Sequence, residues 1–147
     1  MKKIMLIAGL LSIGFLACKK DKNSQEMDYA TKIIGKWNIE KLEVIFEDEE
    51  SSESETEYAA EGSYLNLKEN GTFVSHIYDE GAEEWDTGEG KYSVIDKKLI
   101  LIDEIYQDND TFDIKTLTEN SLIINAEDEG SIMDVDYRIE MTIYMYR

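Results

Sequence analysis

Alternation of apolar and polar residues dominates the chain after residue 34 and predicts a succession of short β-strands. In the first of these, Trp37 and Ile39 share one parity, whereas the apolar residues of segment 42–46 share the other. If both sets face one core, an extra residue near Glu40 and Lys41 has to be absorbed by a β-bulge. The pattern therefore predicts a bent first strand.

Seven further alternating segments follow, separated by short polar turns. They cover residues 64–67, 72–78, 85–95, 98–102, 111–117, 121–126 and 137–147. An antiparallel meander of eight short strands removes its exposed edges best by closing on itself. We therefore expect an all-β fold, an eight-stranded antiparallel up-and-down barrel, with a short amphipathic helix over residues 25–34 leading into it.

The beginning of the chain has the layout of a secretory signal. Two lysines precede an apolar run over residues 4–17, which is too short to cross a bilayer stably. The sole cysteine, Cys18, follows this run directly, and the string Gly-Phe-Leu-Ala-Cys resembles a bacterial lipobox. This resemblance implies that residues 1–17 are removed as a lipoprotein signal peptide and that Cys18 carries the lipid. The alternative is a free buried cysteine in an uncleaved apolar helix.

The resemblance also implies how the rest of the chain is organised. Residues 18–31 would comprise the lipidated cysteine, a polar tether and the start of the helix, and residues 32–147 the barrel domain. The tether is similar to those of lipoproteins of Bacteroidota, which implies attachment to the outer membrane through the lipid on Cys18. Whether the domain would face the periplasm or the cell surface stays open.

The charge of the chain narrows the set of partners. It has 33 acidic and 15 basic residues, a formal net charge of -18, so it repels nucleic acids and anionic headgroups. The most acidic run, residues 47–57, predicts an extended solvated loop because its like charges repel one another. The functional alternatives for this run are capture of calcium and docking of a basic protein partner.

The residue types that carry catalysis are sparse. His76 is the sole histidine, whereas a zinc site needs three or four suitable ligands. No Gly-x-Ser-x-Gly elbow is present, and with 33 acids paired carboxylates arise from composition alone. We therefore expect no enzymatic activity, no catalytic residue, no metal site and no cofactor.

Short motifs connect the meander to a known family. Gly35-Lys36-Trp37 at the entry of the first strand, the Asn-Gly-Thr-Phe hairpin at 70–73, Gly-Lys-Tyr-Ser-Val at 90–94 and the terminal Arg147 resemble the lipocalin-like domains of Bacteroidota lipoproteins. The resemblance covers residues 32–147. It implies a barrel that holds a small apolar molecule, and it implies no reaction. The motif at 90–94 also repeats Gly35-Lys36-Trp37-Asn38-Ile39, through either duplication or convergence.

Closure of the barrel predicts a specific contact. The first and eighth strands become antiparallel neighbours, and Arg147 has the odd parity of the inward residues of the last strand, such as Met145. The Arg147 guanidinium should therefore cover the Trp37 ring, as the resemblance also implies. Gly35, Trp37 and Arg147 form the predicted closing set, and the alternative is a loose terminal arginine in solvent.

Four aromatic residues are candidate ligand contacts, namely Phe73, Trp85, Tyr92 and Tyr137. Aromatic side chains in an eight-stranded barrel fill the interior or line one small cavity, and we expect a mostly filled barrel with a shallow mouth. Two functions follow. One is a non-enzymatic, lipid-anchored envelope protein that binds a small apolar ligand. The other is an interaction or structural lipoprotein with a filled barrel, whose acidic loops dock a basic protein or calcium.

Overall fold

The computed structural model describes residues 28–103, 109–132 and 135–147. Residues 28–32 are helical, and nine strands follow. The strands are β1 (Gly35–Asp48), β2 (Ser52–Tyr58), β3 (Tyr64–Leu67), β4 (Thr72–Asp79), β5 (Glu84–Ile95), β6 (Lys98–Asp103), β7 (Asn109–Leu117), β8 (Ser121–Ile132) and β9 (Val135–Tyr146). The predicted signal peptide, Cys18 and the tether lie outside the described residues.

Eight of these strands form the predicted closed antiparallel barrel. Each strand from β3 to β9 pairs with its neighbour in sequence, and β1 pairs with both β3 and β9 to close the ring. The eight-stranded up-and-down fold is therefore confirmed. The described strands are longer than predicted at several ends, most of all β8, which continues to Ile132.

The predicted bulge in β1 is present. Against β9, Ile39 lies opposite Met145 and Lys41 lies opposite Tyr144, which leaves Glu40 as the extra residue. The bulge restores the inward direction of the apolar residues after the shift in parity. As a result Ile39 and Leu42 line the same interior space despite their odd spacing.

The acidic run over residues 47–57 forms a β-hairpin, so the prediction of an extended loop was wrong. Residues 41–47 of β1 pair with β2, and the Asp48 carboxylate accepts hydrogen bonds from the backbone amides of Glu50 and Ser51 in the turn. All of β2 is exposed, as the charge of the run requires. The hairpin forms because β3 covers only the first residues of β1 and leaves the rest of that edge for β2.

This arrangement leaves a gap in the wall of the barrel. β3 pairs with residues 35–38 of β1 and residues 73–76 of β4, whereas β2 pairs with β1 alone. Within the described residues no ladder joins β2 to the end of β4, at Ile77–Asp79. A side opening therefore lies between the end of β2 and the end of β4.

The core is concentrated at the opposite end, which we term the closed end and define by the turns at 68–71, 96–97 and 118–120. The buried apolar residues are Ile33, Trp37, Leu65, Leu67, Phe73, Leu99, Phe112, Ile114, Leu122, Ile124 and Met145. Those next to the closing turns, such as Leu67, Leu99 and Leu122, are fully buried. This half of the barrel is filled, as predicted.

The outer face carries a polar cluster across the β1–β9 seam. The Glu43 carboxylate accepts hydrogen bonds from the Lys41 ammonium and the Tyr144 hydroxyl, both at 2.6 Å. The bonds from Lys41 and Tyr144 hold the pKa of Glu43 below its ordinary value of 4.5. The cluster therefore favours the ionised form of Glu43 in the folded state.

We expect Glu43→Gln to lower the melting temperature at pH 7 and to lower it less as the pH falls. A lowered folded-state pKa contributes stability above the unfolded pKa, and this contribution is lost as the pH falls through the folded pKa. Melting curves of both proteins between about pH 3 and pH 7 measure the difference. The control is Glu53→Gln on exposed β2, and a difference that persists unchanged at about pH 3 would contradict the assignment.

Candidate functional site in the barrel interior

The closed end is sealed by Trp37 and Arg147. Trp37 is 0% exposed, and the Arg147 Cζ atom lies 3.9 Å from the centroid of its ring. The contact expected from strand parity is therefore present. Trp37 Nε1 also donates a hydrogen bond of 2.7 Å to the carbonyl of Ile33, so the indole is held from both its face and its edge.

Arg147 also satisfies backbone carbonyls where the helical residues lead into β1. Its guanidinium donates to the carbonyls of Lys32 at 2.8 Å, Ile34 at 2.9 Å and Glu119 at 2.7 Å. Carbonyls at a helix end lack intrahelical partners, so a cation there is favourable. Gly35 has φ +129°, and a Cβ there would lie 2.8 Å from Arg147 Nη1. The positive φ therefore favours glycine at this position, and the absence of a side chain leaves room for the guanidinium.

A cavity of about 210 Å³ lies in the barrel next to the core of the closed end. Its wall is mainly apolar and includes Ile39, Leu65, Phe73, Ile77, Leu101 and Phe112. Three polar residues, Ser75, Asp103 and Asp110, interrupt this wall. The interior is thus less completely filled than the sequence predicts, and it offers apolar surface together with a few polar groups, as small-molecule sites do.

A second cavity of about 110 Å³ adjoins the first at the side opening. The two share Ile39, Ile77 and Ile143 in their walls, so they lie next to each other. Ser63 lines the second cavity and is 2% exposed, and its Oγ has no hydrogen-bond partner among the described residues. The side opening therefore leads through an apolar passage into the barrel.

Two glycines of β5 shape this interior. A Cβ at Gly90 would overlap the carbonyl oxygen of Ile102 and lie 2.7 Å from the Phe73 ring. A Cβ at Gly88 would lie 2.6 Å from Ser75 Oγ and 3.9 Å from Asp103 Oδ2. Gly90 therefore allows the Phe73 ring to lie close to β5, and Gly88 leaves room for the polar groups of the cavity.

Of the four aromatic residues predicted to contact a ligand, Phe73 lines the larger cavity. Trp85 lies elsewhere, because it has the opposite parity to the inward residues of β5 and projects from the outer face. It is 44% exposed and stacks on His76 with centroids 4.4 Å apart. His76 in turn lies 3.1 Å from the Thr87 hydroxyl. The structure thus places both Trp85 and His76 away from the cavity.

Tyr92 and Tyr137 also lie outside the cavity wall. Tyr92 packs against the core at the closed end, where its hydroxyl donates a hydrogen bond of 2.9 Å to the carbonyl of Lys68. Burial raises the pKa of the Tyr92 hydroxyl. Tyr137 stacks with Phe46 near the acidic hairpin, with centroids 6.3 Å apart. The contacts of both rings therefore lie outside the walls of the two cavities.

The sequence prediction missed the polar residues of the cavity. Asp103 continues the inward parity of Leu99 and Leu101 on β6, but the predicted strand ended one residue before it. Asp110 lies opposite Leu101 on β7, also just outside the predicted strand. Parity extended past the predicted ends could have found both residues.

The described part of the chain has neither a cluster of metal-binding side chains nor a membrane-spanning helix. No group of three or more His, Cys, Asp or Glu side chains there is arranged to hold a metal ion. Within the same residues, no helix has the length and apolar character needed to span a membrane.

Comparison with known families gives one match. The family model described as lipocalin-like domain matches residues 33–124, which is most of the barrel. No curated protein sequence matches the chain.

Several solved structures are similar to this chain, and three of them illustrate the range. A lipocalin-like protein from Bacteroides uniformis is 15% identical with a TM-score of 0.46, and the match covers 74% of this chain and 96% of that one. An uncharacterized protein from Bacteroides eggerthii is 10% identical with a TM-score of 0.44, over 73% and 97%. The bovine lipocalin allergen Bos d 2 is 14% identical with a TM-score of 0.42, over 80% and 74%.

Proposed function

We propose, since the chain belongs to the lipocalin-like domain family, that it is a non-enzymatic binding protein whose barrel holds a small apolar ligand. The observation that carries this proposal is the apolar cavity of about 210 Å³ with its adjoining passage to the side opening. At about 30 Å³ per water molecule, the larger cavity has room for roughly seven waters, which suits a ligand of fragment size.

The character of the interior favours this function over a filled structural barrel. Inward polar groups around an open cavity are expected of a binding site, and Ser75, Asp103 and Asp110 supply them. A filled barrel would instead leave no space beyond Phe73. The alternative, a filled barrel that docks a partner through its acidic loops, is therefore no better supported than the barrel that binds a ligand.

Titration calorimetry with 1-octanol tests the cavity as a binding site. We expect saturable binding to the wild-type protein, and binding at least about tenfold weaker to Ile77→Trp, because Ile77 lines both cavities and a larger ring would fill their junction. Ile102→Trp is the matched control, since Ile102 is 40% exposed and lines neither cavity. Equal binding to both variants, or none to the wild type, would refute the proposal.

The second part of the proposal concerns attachment. The short apolar run over residues 4–17 and the cysteine that follows it support a lipoprotein anchored in the outer membrane through Cys18. Several acyl chains stabilise such an anchor by about 0.8 kcal/mol per buried methylene. The net charge of -18 would keep the barrel away from anionic headgroups while the lipid holds it nearby.

We expect Cys18→Ala to abolish membrane attachment or to leave the signal peptide uncleaved. The thiol is the acceptor of the lipid, and the apolar run alone is too short to hold a barrel at a membrane. Labelling with radioactive palmitate and fractionation of membranes measure the outcome. The lipoprotein assignment fails if the wild-type protein takes up no label and the variant partitions to membranes as the wild type does.

A further inference from the structure

We infer that the barrel cavity selects a small apolar molecule bearing a cationic amine and discriminates against a carboxylate of the same length. This inference rests on the proposed function of the cavity as a ligand site and names the chemical class of its ligand. It follows from the signs of the charges in the wall and from their position relative to the apolar surface.

All the residues in the two cavity walls that are charged at neutral pH are acidic, within the part of the chain that the structure describes. Asp103 and Asp110 line the larger cavity, and Glu57 and Glu80 line the smaller one at the side opening. No lysine, arginine or histidine is among these lining residues. A ligand carboxylate would thus meet like charge along the whole path, without a counterion.

The two aspartates are placed so that one cation can reach both. Asp110 lies directly opposite Leu101 in the β6–β7 ladder, and Asp103 is two residues beyond Leu101 on the same face. Such diagonal neighbours lie about 7–8 Å apart, and like charges at this spacing repel each other. An ammonium group between them would donate to both carboxylates.

Ser75 completes this polar end of the cavity. Ser75 Oγ and Asp103 Oδ2 both lie beside the position that a Gly88 side chain would occupy. A ligand amine there has a hydroxyl acceptor as well as the carboxylates. Asp103 and Asp110 also have interactions within the protein, and because a carboxylate accepts several hydrogen bonds, the amine would add to these interactions without displacing them.

An independent observation points to a ligand that extends from this end toward the side opening. Ile39, Ile77 and Ile143 form an apolar passage into the smaller cavity, where Ser63 Oγ is buried without a partner in the described residues. A buried hydroxyl without a partner is unfavourable. A ligand whose apolar body lies along the passage could satisfy Ser63 with a polar atom at its far end.

The test compares three eight-carbon amphiphiles by titration calorimetry of the purified full-length protein at pH 7. These are octylamine, 1-octanol and octanoate, which are cationic, neutral and anionic at this pH. We expect octylamine to bind at least about tenfold more tightly than 1-octanol, because its hydrogen bonds are charge-assisted. Octanoate should bind at least about tenfold more weakly than 1-octanol, because it carries the charge of the wall.

Charge-neutral variants assign the selectivity to the cavity. In the double variant Asp103→Asn, Asp110→Asn the preference for octylamine over 1-octanol should fall below about threefold, with binding of 1-octanol retained. The matched control is Glu69→Gln, Glu119→Gln, which removes the same charge from exposed turns at the closed end. This control should keep the full preference.

The outcomes separate the two proposals. Binding of 1-octanol with an equal or greater affinity for octanoate overturns the selectivity and leaves the proposed function standing, and this comparison needs no variant. A preference lost equally in both double variants also overturns it, because net charge would then be the cause. Failure of all three amphiphiles to bind overturns the proposed function itself.

Discussion

Replacing Trp37 with alanine should lower the free energy of unfolding by about 3–5 kcal/mol, the usual cost of removing a large aromatic side chain from a core. The indole is 0% exposed and packs among the residues that fill the closed end. The variant also removes the hydrogen-bond donor to Ile33 and the ring beneath the Arg147 guanidinium. Urea denaturation followed by circular dichroism measures the loss.

The matched control is the other tryptophan. Trp85 is 44% exposed on the outer face, where its ring contacts those of His76 and Tyr78. Trp85→Ala should therefore cost about 1 kcal/mol, in the range of an exposed aromatic pair. Similar losses for the two variants would mean that Trp37 does not hold the closed end together.

Much of the barrel could be predicted because its strands have one buried face. Where that holds, the alternation of residues gives both the strand and the direction of each side chain. The shift in parity between Ile39 and Leu42 even revealed the bulge, since only an extra residue could turn both sets inward. The same reasoning placed Arg147 over Trp37 at a distance of 110 residues along the chain.

β2 could not be predicted in this way because neither of its faces is buried. Ser52–Tyr58 alternates acidic residues with serine and threonine, so the pattern has no apolar face to mark a strand. Its pairing depends on the edge of β1 that β3 leaves uncovered. The uncovered edge exists only in the assembled sheet, so it cannot be predicted from any local segment of the sequence.

The candidate site was only partly predictable. Phe73 was expected at the cavity and lies there. Trp85 and Tyr92 were expected there too. These two residues are seven positions apart on one strand, so their side chains face opposite sides of it. Parity could have excluded Trp85. It could not exclude Tyr92, which has the inward parity but directs its hydroxyl to the carbonyl of Lys68 in a turn of the closed end.

The two Gly-Lys-aromatic motifs show how similar residues can have different roles. Gly35 begins β1 with φ +129° and makes room for Arg147. Gly90 lies within β5, with Ile102 and Phe73 against its Cα. The sequence resemblance between the motifs therefore does not extend to the function of their glycines, one of which serves backbone conformation and the other close packing.

Gly90→Ala should be among the most destabilising single substitutions in the barrel, at about 3 kcal/mol or more. The added methyl group would overlap the Ile102 carbonyl oxygen, which is backbone of the paired strand and can retreat only if β5 and β6 separate. Gly88→Ala is the control on the same strand, where the methyl group meets Ser75 Oγ, a small side chain that can rotate away, and the cost should be about 1 kcal/mol.

Urea denaturation of both variants measures these costs, and equal values would show that the backbone of β6 yields as readily as a side chain. A further variant separates the two contacts of Gly90. The Phe73 ring lies 2.7 Å from the added methyl group and can be replaced by a smaller side chain, whereas the Ile102 carbonyl belongs to the backbone and cannot be removed by substitution. We therefore expect Phe73→Leu in the Gly90→Ala background to restore none of the lost stability. Restoration of the stability to the wild-type level would instead show that the added methyl group clashes only with the Phe73 ring.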